Sequence, residues 1–148
     1  MDEKHFKEMI RFAIGREVDS VHFYTEASAS VNHSGTRELF QDFARQEEGH
    51  KKKLEGVLEG KVTLTKIEKI PDLKISDYLV ETTLKPDISY ADMLRIAMKR
   101  EERSVKFYTD LKNQNQDERL IRLFTFLIQE ESKHKFHLEK IYDDEILK

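Results

Sequence analysis

The sequence contains no cysteine. This absence excludes disulfides, thiolate metal sites, iron–sulfur clusters and thiol catalysis within these 148 residues, and it favours a cytoplasmic location. No apolar run approaches the roughly 20 residues that a membrane-spanning helix needs. The polar N-terminal residues 1–5 are unlike a signal peptide. We therefore expect a cytoplasmic protein without a membrane partner.

The chain also lacks an excess of charge of one sign. Charged residues make up 37% of the sequence, yet the formal net charge is only −3, so acidic and basic residues are interspersed. The nearest approach to a basic cluster is the lysine run at 51–53. A solvent-exposed helix face explains this run better than a phosphate-binding patch. We expect no nucleic-acid partner.

Proline is scarce, and long segments run without a helix breaker. Apolar residues recur at spacings of three and four in these segments, which is the period of a helix that buries one face. The pattern predicts helices over 3–31, 36–59, 90–113 and 117–145. Gly35, with Ser34 and Thr36 as candidate caps, separates the first two helices, and a polar run at 113–117 separates the last two. Because both breaks are short, we expect two antiparallel hairpins.

Both prolines, Pro71 and Pro86, fall in the segment 60–89, which loses the helical period. Gly60 fits a helix C-terminal cap, and Ser89 fits the start of the third helix. This segment is the predicted crossover between the hairpins, with a short helix near 75–81. The sequence thus predicts one all-α domain over 1–148, a four-helix bundle with hairpin 1 at about 3–59 and hairpin 2 at about 90–145.

The chain repeats itself at an offset of 84 residues, since 10–26 matches 94–110 and 39–50 matches 123–134. Each half contains one Glu and, 30 residues later, a Glu-x-x-His. Neighbouring residues differ between the halves, for example Gly15 and Lys99, whereas the metal-ligand types all match. Six residues are therefore candidate metal ligands: Glu17, Glu47, His50, Glu101, Glu131 and His134.

These six residues interrupt the apolar stripes of the four helices at positions where core residues are expected. The stripes continue past them with Val21 in the first helix, Val105 in the third and Ile141 in the fourth, which are predicted core residues. Unpaired charge in a protein core costs several kcal/mol per ion, by order of magnitude. Two divalent cations would balance the four carboxylates, with neutral imidazoles completing the coordination. Carboxylate and imidazole ligands without thiolate suit iron or manganese, with zinc as a further occupant. We expect two iron ions, because carboxylates can change binding mode as iron changes oxidation state.

At these residues the chain resembles the rubrerythrin branch of the ferritin-like di-iron carboxylate superfamily, whose bundle pattern is one Glu from each of two helices and Glu-x-x-His from each of the others. The resemblance covers both hairpins and leaves out the crossover. It implies a ferritin-like fold in which Glu47 and Glu131 bridge the metals, while Glu17, Glu101 and the histidines are terminal ligands. It also suggests that Tyr24 and Tyr108 lie beside the site and take part in catalysis by donating hydrogen bonds or protons; ordinary core aromatics are the alternative.

The chain departs from this resemblance in two ways. Rubrerythrins carry a rubredoxin-like domain with four cysteines, which these residues lack, so the chain resembles the simpler erythrin type. Rubrerythrin also has an extra carboxylate three residues after the third-helix Glu, where this chain has Ser104. The remaining histidines are expected to be exposed: His5, His22, His33 and His137.

The resemblance implies an oxidoreductase that reduces hydrogen peroxide or dioxygen with electrons from an external donor protein. One alternative is an iron-binding or ferroxidase protein for iron handling, and another is a structural helical bundle with a vestigial site. A small oligomer, most simply a homodimer, is expected. The long crossover would permit exchange of hairpins between subunits.

Overall fold

The computed structural model describes residues 3–60, 72–74 and 88–147. They contain four helices: α1 (Glu3–Ser30), α2 (Ser34–Leu58), α3 (Tyr90–Asn113) and α4 (Glu118–Glu145). No β-strand occurs in these three ranges. The four predicted helices are confirmed, and their bounds differ by at most two residues from the predicted ones. The predicted helix near 75–81 and most of the crossover lie outside the described residues.

Helices α1 and α2 pack against each other in one compact unit, which also includes residues 116–120. The ring of Tyr24 from α1 contacts two rings of α2, with centroid distances of 5.6 Å to Phe40 and 5.3 Å to Phe43. Near the start of α1, the guanidinium carbon of Arg119 lies 3.9 Å from the ring centroid of Phe6. Aromatic packing thus holds hairpin 1 together.

Helix α3 and the remainder of α4 belong to a second compact unit. The rings of Tyr108 on α3 and Phe124 on α4 stack with centroids 6.1 Å apart. Arg95 Nε donates a hydrogen bond of 3.0 Å to the hydroxyl of Tyr142. These contacts connect α3 to α4 along hairpin 2.

The start of α2 differs from the sequence-based prediction, which proposed Ser34 and Thr36 as caps. The capping residue is His33, whose Nδ1 accepts a hydrogen bond of 3.1 Å from the backbone N–H of Thr36. Ser34 and Gly35 lie inside the helix. An imidazole can replace the usual hydroxyl or carboxylate cap because its unprotonated nitrogen is also an acceptor.

Two other predicted helix boundaries are confirmed. Gly60 follows the end of α2 with a φ of 75° and donates its backbone N–H to the carbonyl of Val57 at 3.0 Å. A left-handed glycine is a common helix terminator, because a side chain is unfavourable there. Ser89 caps α3 by accepting a hydrogen bond of 3.1 Å from the N–H of Asp92.

The predicted core stripes are mostly confirmed, with a small rotation of the buried face on α1 and α3. Val21 and Val105 were predicted to be core residues, but both are half-buried. The side chains that are buried instead are Ser20 and Ser104. Each serine follows a buried Glu by three residues, whereas each valine follows it by four, so the buried face turns toward the serine side. On α4, Tyr142 is similarly buried in place of the predicted Ile141.

None of the described helices is both long and apolar enough to cross a membrane.

Candidate metal centre

Hairpin 1 brings together three of the predicted ligands. Glu17 lies in the middle of α1, while Glu47 and His50 lie one turn apart on α2. His50 Nδ1 is 3.2 Å from Glu47 Oε1 and 3.6 Å from Glu17 Oε1. Each residue offers one ligand atom, and these atoms lie within 4.8 Å of one another. All three side chains are buried, and the most exposed residue, His50, has a relative exposure of only 6%.

Hairpin 2 repeats this arrangement with its own three ligands. Glu101 lies on α3, while Glu131 and His134 lie one turn apart on α4. His134 Nδ1 is 3.5 Å from Glu101 Oε1, which nearly equals the corresponding distance in hairpin 1. The three ligand atoms again lie within 4.8 Å of one another, and the three residues are buried. The sequence repeat is therefore also a repeat of side-chain geometry.

The surroundings of Glu17 disfavour a charged carboxylate without a cation. Both of its carboxylate oxygens are buried, and His50 Nδ1 lies 3.6 Å from Oε1. Burial raises the pKa of Glu17 to about 8; His50 opposes this shift, and the negative charge of Glu47 adds to it. The carboxyl group therefore retains a proton at neutral pH when no cation is bound, and a divalent cation would take the place of that proton.

The donor set of each hairpin suits a metal ion. Two carboxylates and one imidazole provide three ligands without a thiolate, a combination that fits iron, manganese or zinc. In both hairpins Nδ1 is the histidine nitrogen that lies close to a carboxylate. Nδ1 is thus the atom placed to bind metal, provided that it carries no proton. Metal binding by the six residues stays a prediction.

Tyr24 and Tyr108, the residues suggested to lie beside the site, are fully buried about two helical turns beyond the α1 and α3 glutamates. Their described ring contacts are with phenylalanines, including Phe23 at 5.1 Å and Phe107 at 5.2 Å between centroids. These contacts give both tyrosines a packing role, and a role in catalysis stays a prediction. The four other histidines named above are exposed, as predicted.

Sequence reasoning did not place Ser20 near the ligands. Both Ser20 and Ser104 are buried one turn beyond the glutamates of α1 and α3. The signal that could have identified Ser20 is the repeat itself, because Ser20 and Ser104 match at the same offset as the ligands. A hydroxyl at this position is a weaker metal ligand than a carboxylate.

A buried pair of carboxylates with an imidazole, present in each of two helical hairpins, is typical of helical proteins with carboxylate-bound metals. The model of the rubrerythrin family matches residues 8–142. Because this match spans most of the chain, the protein belongs to the rubrerythrin family. The predicted resemblance and the predicted fold class, an all-α ferritin-like bundle, are both confirmed.

A solved structure with a similar fold is a hypothetical protein from Pyrococcus furiosus. The two chains are 25% identical, with a TM-score of 0.63, over 93% of this chain and 87% of the other. None of the curated proteins compared with the chain matches it significantly. With no cysteine in its 148 residues, the sequence contains no rubredoxin-type iron centre.

Proposed function

We propose that this protein is a di-iron carboxylate oxidoreductase that reduces hydrogen peroxide or dioxygen with electrons from an external donor protein. The observation that supports the proposal is the same buried trio, two Glu and one His, in both hairpins of a chain of the rubrerythrin family. Iron bound by these residues would supply the two electrons that reduction of a peroxide needs, one from each ion.

The residues of the chain would hold the ions and control their surroundings. Glu17, Glu47 and His50 would bind in hairpin 1, and Glu101, Glu131 and His134 would bind in hairpin 2. Their burial keeps water away and strengthens the attraction between carboxylate and cation. The i, i+3 spacing of Glu and His fixes oxygen and nitrogen on one helix face before any ion arrives.

The proposal is tested by measuring the metal content of the purified protein. We expect two Fe(II) ions per chain after anaerobic loading. Glu47→Gln and Glu131→Gln remove one carboxylate charge with little change in shape, so each should abolish two-ion occupancy. Glu48→Gln is the matched control, because Glu48 is the neighbouring residue but pairs with Lys51 at the surface, at 3.5 Å. His22→Ala, at an exposed position, should also leave the metal content unchanged.

Two results would contradict the assignment. If the unaltered protein bound no transition metal after iron loading, a structural bundle with a vestigial site would replace the proposal. If the control variants lost as much metal as Glu47→Gln, the division between buried ligands and surface residues would be wrong. Circular dichroism of each variant separates loss of a ligand from loss of the helices.

An iron-handling or ferroxidase function is the second candidate, and the buried pair Ser20 and Ser104 favours it. Rubrerythrin has a carboxylate where this chain has Ser104, and a hydroxyl cannot provide that extra charged ligand. Stopped-flow reaction of the Fe(II)-loaded protein with peroxide and with dioxygen, in separate experiments, shows which oxidant reacts faster. Faster reaction with peroxide supports the oxidoreductase. Faster reaction with dioxygen is expected both of a ferroxidase and of an oxidoreductase that reduces dioxygen, and of these two only the oxidoreductase should turn over repeatedly when an external electron donor is supplied. Light scattering adds a check, since a homodimer cannot enclose an iron mineral as a large shell does.

A further inference from the structure

Residues 72–74 of the crossover are attached to α4 within the second compact unit. Lys135 Nζ donates hydrogen bonds to Asp72 Oδ1 at 2.6 Å and to Glu139 Oε2 at 3.1 Å. The backbone N–H of Leu73 donates to the other carboxylate oxygen of Glu139 at 3.3 Å. Lys135 therefore connects α4 to the crossover through a side chain, and Glu139 does so through the crossover's backbone.

Two of these charged groups are buried, whereas the side chain of Asp72 is 54% exposed. Glu139 is 0% exposed and Lys135 is 7% exposed. Burial by itself would raise the pKa of Asp72, but the hydrogen bond and charge of Lys135 outweigh it and lower that pKa. Lys135 is thus placed between one buried and one exposed carboxylate, and its charge-assisted hydrogen bonds join the three side chains.

The sequence repeat supplies an internal comparison for this network. The residues of α2 that correspond to Lys135 and Glu139 are Lys51 and Glu55, of which Lys51 is half-buried and Glu55 is exposed. Lys51 pairs instead with Glu48, at 3.5 Å. The residue corresponding to Glu48 in α4 is Ser132, which cannot pair with a lysine charge. Hairpin 2 therefore has the lysine without a glutamate three residues before it, and Lys135 bonds to the crossover instead.

We propose that Asp72, Lys135 and Glu139 form a clasp that fixes residues 72–74, the strap, onto α4. The strap and clasp form part of the wall of a groove of about 340 Å³, which is lined on α3 by residues including Glu102, Val105 and Lys106. Release of the clasp frees the strap from α4 and opens the groove on that side. The strap is a compact turn, because Asp72 Oδ1 also accepts the N–H of Lys74 at 2.9 Å. This inference is independent of metal binding.

The clasp is tested by the exchange rate of the Leu73 amide proton, measured by NMR on the full chain. Lys135→Met removes the cation that holds Asp72, which leaves the strap attached only by the bond from Leu73 N–H to Glu139. Because the strap then leaves α4 more often, we expect exchange at Leu73 to become about tenfold faster or more, as for loss of a charge-assisted hydrogen bond. Trypsin cleavage after Lys74 should accelerate in parallel. The matched control is Lys51→Met at the corresponding position of hairpin 1, which should leave both rates unchanged.

A second variant guards against damage to α4, because Lys135→Met leaves the buried carboxylate of Glu139 without its cation. Asp72→Asn weakens only the strap side of the clasp and should also accelerate exchange at Leu73. The double variant should exchange little faster than Lys135→Met alone, since both changes remove the same contact. Unchanged exchange in Asp72→Asn and Lys135→Met would overturn the proposal, and so would additive effects in the double variant.

Discussion

Glu17, a predicted metal ligand, opposes folding of the metal-free chain as the pH rises. Its pKa rises from 4.5 to about 8 in the folded protein, mainly through burial. The folded state therefore keeps a proton that the unfolded state releases above pH 4.5. By linkage, this group lowers the free energy of unfolding as pH increases from about 4.5 to about 8.

This linkage predicts a difference between the protein and Glu17→Gln when both are free of metal. The melting temperature of the unaltered protein should fall relative to that of the variant as pH rises from 5 to 8, because glutamine has no proton to lose. Thermal unfolding with a chelator present, followed by circular dichroism, measures this difference at each pH. Parallel pH profiles would mean that Glu17 ionises normally in the folded chain.

Two exposed glycines lie in helix interiors, where they lower the stability of the helices that contain them. Gly15 in α1 and Gly49 in α2 are exposed, and a Cβ atom added at either position would meet nothing within 4 Å. Glycine in a helix interior costs about 0.5–1 kcal/mol relative to alanine, because it loses more backbone entropy on folding. Hairpin 2 has Lys99 and Lys133 at the corresponding positions.

We therefore expect Gly15→Ala and Gly49→Ala each to increase the free energy of unfolding by about 0.5–1 kcal/mol. Gly60→Ala should have the opposite effect, since the φ of 75° at Gly60 disfavours a side chain even though space is available. Urea unfolding of the three variants measures all three changes under one condition. Stabilisation by Gly60→Ala would show that the end of α2 does not require the left-handed backbone.

The helices were largely predictable from the sequence because their apolar stripes are long and regular. The capping residues were less predictable. His33 caps α2 through Nδ1, an interaction that the usual preference for Ser, Thr, Asp and Asn does not predict. The attachment of the strap to α4 could not be predicted either. Lys135 and Asp72 are 63 residues apart, and no local pattern joins residues at that separation.

Metal binding should affect the stability of the whole molecule. Each ion that binds the folded chain and not the unfolded chain adds about 2.7 kcal/mol when its free concentration is a hundred times its dissociation constant. Fe(II) or Co(II) added anaerobically should therefore raise the melting temperature, and a chelator should reverse the increase. Glu101→Gln should reduce this shift, whereas Glu102→Gln, at the neighbouring half-buried residue, should preserve it. Equal shifts in the two variants would contradict ligation by Glu101.

The predicted partners and location of the protein stay predictions. The homodimer, the external electron donor, the cytoplasmic location and any exchange of hairpins between subunits depend on partners and surroundings outside a single chain. The 148 residues provide one constraint on the donor: without cysteine, they contain no thiolate-bound electron-transfer centre of their own.

The sequence by itself determined the four helices, the two hairpins and the six candidate ligands, because helical periodicity and an exact repeat offset are local, countable properties. The tertiary structure decided four further features: the distances from histidine Nδ1 to the carboxylates, the raised pKa of Glu17, the burial of Ser20 and the clasp at Lys135. Such features depend on how each helix is rotated about its axis and on contacts between distant residues. Neither is encoded in any short stretch of sequence, so only the folded chain reveals them.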